Sequence, residues 1–364
     1  MKLTELVDHL NQAVPLSLQE GYDNSGVQVG NEGNDIRSGL LTLDVTEEVI
    51  EEAVQKECGI VISHHPLIFK GLKRIDEKTP AGRIIFKAVK NQIAIYSAHT
   101  NLDVLKNGVS HRMAQKLSLE RISVLQSLKN RLLKLIAFVP DAHLERVREA
   151  VFDAGAGITG NYDRCGFTVN GTGSFRAGEG AEPFAGEKGK MHFEKEVRFE
   201  TILFSHVRDK VIKALLEAHP YEEAAYDIVP LENDNSGIGF GSIGYLNEPL
   251  GESDFLKTVS SSLSATGIRY SKPSGRTIRK VALCGGAGAS LLNDALAAGA
   301  DAYLTADLKY HSFFDAGDQI LLVDCGHYET EKYATEILYD LIIEKFPTFA
   351  LRFSEINTNP INYL

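Results

Sequence analysis

Short, unbroken apolar runs, each followed by a stretch of helical periodicity, constrain this chain most. In the first third the runs are "SGLLTLDV", "GIVISHHP" and "IAIYSAHTN". They alternate with "LTELVDHLNQAVP", "TEEVIEEAVQKEC", "TPAGRIIFKAVKNQ" and "GVSHRMAQKL", whose apolar residues recur at close to 3.6 positions. Thr46 stands where an N-cap belongs, with acidic residues in the turn that follows. In the last third "RKVALCGGAG", "ADAYLTAD" and "QILLVDCGH" repeat the pattern. There "LKYHSFFDAGD" reads as a helix, and "YETEKYATEILYDLIIEKF" as one long helix with Ala334, Ile337, Leu338, Leu341 and Ile342 on one stripe. Strands without polar alternation are covered on both faces. The expected fold class is therefore α/β, a parallel or mixed sheet covered by helices.

The middle breaks this pattern. From about Leu132 the order is strand, helix, strand, strand, helix, strand, with a glycine-rich stretch "GNYDRCGFTVNGTGSFRAGEGAEPFAGEKGK" between the halves. That is the split βαβ order of a ferredoxin-like α+β unit. The expectation is an inserted domain over 131–233, splitting an α/β domain into 1–130 and 234–364. The return linker is the Gly-, Asn- and Pro-rich "DNSGIGFGSIGYLNEPL".

A chain of 364 residues has room for two or three domains, and its 43% hydrophobic and 24% charged residues are ordinary for globular proteins. Such a chain can build a core without a structural metal, so a metal here would serve function. A net charge of −11 argues against nucleic acid as a partner, because phosphate binding needs clustered Lys and Arg. No apolar run reaches about 18 residues, so no membrane span is expected. Cys58, Cys165, Cys284 and Cys325 are scattered with no CxxC pair, and the first residues lack the apolar stretch of a signal peptide. Reduced thiols and a cytoplasmic location are the expectation.

Four motifs fall just past the C-terminal ends of expected strands: "SHHP" (Ser63 to Pro66), "SAHTNLD" (Ser97 to Asp103), "TADLKYH" (Thr305 to His311) and "DCGHYETE" (Asp324 to Glu331). Open α/β sheets bind ligands at that edge. One edge could thus gather His64, His65, His99, Asp103, Asp307, His311, His327 and Glu331, the composition of a first-row metal site. If "HYETE" starts a helix, His327 and Glu331 share a face at i,i+4. Adjacent His64 and His65 cannot easily reach one ion from a strand end, but each can reach one of two neighbouring ions. A dinuclear site, with a buried carboxylate able to bridge, is the economical reading. For His99, a side chain facing away from the cluster is equally allowed. Asp23 and Asn24 in "DNSGVQVG" are either partners that orient the ligands or plain turn residues. "CGGAGAS" (Cys284 to Ser290) lacks the Lys of a P-loop and reads better as a tight turn than as a phosphate cradle.

Together with "SHHPLIFKGLKRI", "GNYDRCGFTVNGTGSF" and "HPYEEAAYDI", these motifs resemble the Nif-three-like family, also called the GTP cyclohydrolase I type 2 homologues. The match runs in order over essentially the whole chain. The resemblance implies two divalent ions per subunit, held by His64, His65, Asp103, His327 and Glu331. His99 and His311 then become candidate acid–base residues, and Asp23, Asn24, Asp307 and Lys309 candidates for orienting ligands or substrate. It further implies a toroidal homohexamer with the sites facing an inner cavity, and an insertion similar to PII and CutA proteins. His and carboxylate ligands suit Zn first, with Mn, Fe, Co and Ni also compatible.

Two function classes follow. One is a metal-dependent hydrolase acting on a nucleotide, with ring opening of GTP as the reaction the family name implies, or on another small molecule such as a phosphoester or amide. The other is a non-enzymatic protein that senses a metal or metabolite and docks a partner. Five protein ligands shared by two ions leave positions open for water, which favours the enzyme.

Overall fold

The computed structural model describes residues 1–129, 131–160, 162–233 and 237–364. The chain packs as two compact units, Met1–Ser127 with Ser236–Leu364, and Leu128–Asn235.

The larger unit holds two mixed sheets where the sequence pattern suggests one. The first runs Gly26–Val29, Ala94–Ser97, Ile60–Ser63, Ser38–Thr42, Ala350–Phe353. The first of these strands is antiparallel to its neighbour and the rest are parallel. Side chains alternate between two cores, as the strand period of two requires. Ile60 and Ile62 pack against helices Leu3–Ala13 and Ala334–Lys345, while Val61 packs against Glu47–Gln55 and Pro80–Lys90. Both faces are covered, which is why these strands read as unbroken apolar runs. Thr46 caps its helix as expected, its hydroxyl accepting from Val49 N.

The second sheet runs Arg269–Tyr270, Leu321–Asp324, Ala302–Thr305, Thr277–Leu283, Gly239–Gly251, Glu120–Ser127. The pairings among Leu321–Asp324, Ala302–Thr305 and Thr277–Leu283 are parallel and the outer ones antiparallel. Val281, Leu304 and Val323 face helices Val109–Lys116 and Glu252–Leu263, and Ala282, Tyr303 and Leu322 face the opposite core.

Two expected helices are shorter. "LKYHSFFDAGD" yields one turn, Ser312–Asp315, because Asp307 takes a left-handed φ of +58° and Leu308 N is tied to Asp324 Oδ2. The long C-terminal helix is two, His327–Glu331 and Ala334–Lys345. Thr330 Oγ1 donates back to the carbonyls of Gly326 and His327, and such back-bonding bends helices.

In the smaller unit four antiparallel strands lie in the order Gly166–Arg176, Met191–Phe204, Leu132–Pro140, Tyr226–Leu231. Helices Leu144–Asp153 and Arg208–Ala218 share one core with them. The connectivity is that of a ferredoxin-like unit.

Candidate metal centre

The larger unit brings the ends of both sheets together around one carboxylate. Strand Ile60–Ser63 is wholly buried and ends at the histidine pair. Beyond Ser63 the chain bends, so strand alternation no longer applies. The bend is fixed from both sides. Ser63 Oγ donates to the carbonyl of His65 at 2.8 Å and lies 2.8 Å from Ser97 Oγ, while His65 N donates to Leu43 O at 3.0 Å. Both neighbouring rings therefore reach one cluster, with centroids 5.0 Å apart.

The second arm is helix His327–Glu331, which starts after Gly326 at φ +90°. Its i,i+4 pair closes as the spacing predicts, with His327 Nε2 2.7 Å from Glu331 Oε2. His65 Nε2 reaches the same oxygen at 2.9 Å. The "CGGAGAS" turn makes room for that carboxylate: a Cβ on Gly286 would stand 1.9 Å from Glu331 Oε1, and Gly286 has φ +60°. The turn is no phosphate cradle, since the amides of Gly285, Gly286 and Gly288 donate to Ser110, Thr330 and Thr305 hydroxyls.

His64 has no exposed surface, and its Nδ1–H donates to Ala98 O at 2.8 Å. Its Nε2 is consequently an acceptor, and it is buried without a hydrogen-bond partner. It faces Asp103 Oδ1 at 3.6 Å and Glu331 Oε2 at 3.9 Å. Three groups of lone pairs thus converge in a buried space. An unpaired buried acceptor is costly, and a cation among these atoms would reverse the sign of every contact. Three sets of donors lie close enough to hold an ion: His65, His327 and Glu331; His64, Asp103 and Glu331; and His64, His65 and His99.

The electrostatics divide the cluster. Burial pushes the His64 ring down to about 3, so it stays neutral. Burial opposes protonation of His65 too, but hydrogen bonds to Asp44 and Glu331 raise it to about 10. His327 rises to about 9 against burial, through Glu331 and then Asp307. Burial and the negative Glu331 hold the Asp103 carboxyl well above the usual range. Burial works against ionised Glu331 as well, but the bonds from His327 and His65 prevail and hold it well below its usual value. Without an ion, protons on His65 and His327 balance Glu331.

Each outer ring nitrogen has an orienting partner. His65 Nδ1 donates to Asp44 Oδ1 at 2.7 Å, and His327 Nδ1 to Asp307 Oδ2 at 2.8 Å. His99 faces the cluster, its ring 5.3 Å from His64 and 5.4 Å from His65. Its Nδ1 donates to Asp23 Oδ1 at 2.8 Å, and Asp23 also accepts from Thr100. Burial favours the neutral acid at Asp23, but those bonds prevail and its pKa is lowered. Asn24 stands apart, donating to Ile68 O. Lys309 and His311 are exposed, and His311 packs on the rings of Tyr310 and Phe314. Asp44 is a member of the site that sequence reasoning misses. The one signal for it is its place two residues after strand Ser38–Thr42, at the same sheet edge as the histidines.

Above the cluster lies a cavity of about 500 Å³. Tyr22, Phe69, Phe240 and Cys284 line it together with His99, Asp103 and the His65, His327, Glu331 group.

Known proteins resemble this chain over almost its whole length. A "GTP cyclohydrolase 1 type 2 homolog" of Halalkalibacterium halodurans is 40% identical over 96% of this chain and 95% of its own length. A Bacillus subtilis protein of the same name is 38% identical over 99% of this chain and 98% of its own. The crystal structure of a Bacillus cereus protein related to NIF3 is 39% identical, covers 100% of this chain and 99% of its own, and superposes with a TM-score of 0.85. The family model described as Duf34/NIF3 (NGG1p interacting factor 3) matches residues 1–360, and the chain belongs to that family.

Proposed function

We propose that the cluster binds two divalent metal ions and serves a hydrolase acting on a small molecule, with ring opening of a guanine nucleotide as the leading reaction. The observation that carries the metal is the buried, unpartnered His64 Nε2 aimed at two carboxylates. His65, His327 and Glu331 would hold one ion, His64, Asp103 and Glu331 the other, with Glu331 shared. The donor set of imidazole and carboxylate suits Zn first. Ions of this kind polarise a substrate oxygen and make water a nucleophile near neutral pH.

This chain's own residues supply the rest. His99 lines the cavity and donates its Nδ1–H to Asp23, which leaves Nε2 as the acceptor for a proton from attacking water. Asp44 and Asp307 fix the tautomers of His65 and His327, so that each turns Nε2 inward. Tyr22, Phe69 and Phe240 offer aromatic surface to a planar ring. The names of the relatives support a guanine nucleotide. A homohexamer is part of the same proposal and rests on the resemblance of the motifs alone.

Elemental analysis of purified protein, followed by metal-loaded protein against a panel of nucleotides, phosphoesters and cyclic amides, tests the reading. We expect about two ions per chain and turnover that His65→Ala and Glu331→Ala both abolish. Protein without transition metal overturns the dinuclear centre. Turnover surviving both substitutions overturns the hydrolase.

A further inference from the structure

The segment Ser354–Leu364 follows the edge strand Ala350–Phe353 and has no regular secondary structure. A segment that only left the domain would solvate its polar side chains. Here its start is pinned to the first sheet: Ser354 N donates to Leu41 O at 2.8 Å and Glu355 N to Glu52 Oε1 at 2.9 Å. Glu355, Ile356 and Asn357 are exposed, and then Thr358 and Asn359 turn inward. Farther on, the Tyr363 ring covers Gly267, where a Cβ would stand 2.0 Å from Cε1.

The two inward residues reach different arms of the cluster. Thr358 Oγ1 donates to Asp44 Oδ2 at 2.8 Å, and the other oxygen of that carboxylate accepts from His65 Nδ1. Asn359 Nδ2 donates to Glu329 Oε1 at 3.0 Å. Glu329 is buried, and it sits on helix His327–Glu331 between two metal-ligand candidates. The amide cannot turn over freely, because Asn359 Oδ1 accepts from Ile361 N at 3.1 Å. One dipeptide therefore ties the strand-end arm that carries His65 to the helix that carries His327 and Glu331.

The other donor set is held differently. His64 is oriented by the Ala98 carbonyl, which neither Thr358 nor Asn359 touches. We infer that Ser354–Leu364 is a strap whose Thr358 and Asn359 are positioning residues for the His65, His327 and Glu331 group, and not for the His64 and Asp103 group. The inference rests on the dinuclear reading above. Its consequence is an asymmetry: loosening the strap weakens the ion of the His65 and His327 group more than the other, which feels the strap only through the shared Glu331.

Stepwise titration of the chelator-treated full chain with Co²⁺, followed by its absorption bands and by calorimetry, tests this. Partners that orient metal ligands are worth about 10–100-fold in affinity. Thr358→Val is expected to lower the affinity of one step by about tenfold, with a smaller effect on the other, and to alter the bands of that step most. Thr358→Ser, which keeps the hydroxyl, should restore both, and Asn359→Ala should affect the same step as Thr358→Val. Melting in chelator checks that each variant folds like the parent. Two unchanged steps in both Thr358→Val and Asn359→Ala, or two steps weakened equally, overturn the strap. A parent chain that takes up no ion overturns the dinuclear reading and the strap with it, whereas two ions in the parent and unchanged variants overturn the strap alone.

Discussion

Histidines crowd against hydrogen-bonding partners in both units, and the two settings differ in what is left over. In the smaller unit both nitrogens of His219 are used: Nε2 donates to Phe138 O at 3.0 Å and Nδ1 accepts from Tyr221 N at 3.1 Å. Tyr221 in turn donates to Glu196, and His192 pairs with Glu194. His206 has a buried Nδ1 without a partner, yet it stacks on Phe204 and belongs to no donor group among the described residues. In the larger unit the unpartnered nitrogen of His64 faces two carboxylates. Neither an orphan acceptor nor a histidine–carboxylate pair singles out a metal site by itself. Their coincidence at His64 is what supports the proposed one.

Substitutions can break that distinction. The largest effect is expected from Glu331→Ala, which removes the oxygen common to the two donor sets proposed to hold ions: metal per chain, read by elemental analysis, should fall towards zero. An unchanged ratio would mean that the cluster is not the metal site. Gly286→Ala places a methyl against the same carboxylate at a left-handed position. Its metal affinity should drop about 10–100-fold, with about 1 kcal/mol of backbone strain added. His219→Ala is the counter-case. It should leave the metal ratio alone and cost about 1–3 kcal/mol in urea denaturation by stranding Phe138 O.

Acidity separates the units further. His65 and His327 are raised in the ion-free protein, so the stability they lend is complete below about pH 6.5 and is lost as pH climbs through about 9 and about 10. His206 and His219 are lowered by burial, so their contribution is complete above about 6.5 and falls as pH drops. Hydrogen exchange in chelator should therefore show the larger unit loosening on the alkaline side of about 6.5, where these two histidines of the smaller unit are silent. Equal loosening of both units there would contradict the assignment. The smallest effect belongs to His192→Ala, which opens a half-exposed pair and should cost about 0.2–1 kcal/mol by the same urea measurement.

Much of this is legible in the residues. Buried parallel strands announce themselves as apolar runs, and that pattern alone puts "SHHP", "SAHTNLD" and "DCGHYETE" at strand ends. The i,i+4 pair of His327 and Glu331 needs only a helix start. Strand partnership is hidden, because pairing is non-local: nothing in the text says that Ile60–Ser63 and Leu321–Asp324 lie in different sheets. The break near Lys332 is hidden because apolar periodicity runs through it, while the Thr330 back-bonds that bend the chain leave no periodic trace. Asp44 and Thr358 are illegible for a related reason. Both act only through long-range hydrogen bonds, and a lone Asp after a strand looks like any turn residue.

The glycine at 286 offers a diagnostic for other sequences. A carboxylate oxygen lies almost where its side chain would begin, so a related chain bearing any side chain there has to shift the carboxylate that corresponds to Glu331. A single letter in "CGGAGAS" thus marks relatives in which this arrangement of donor side chains can be kept unshifted.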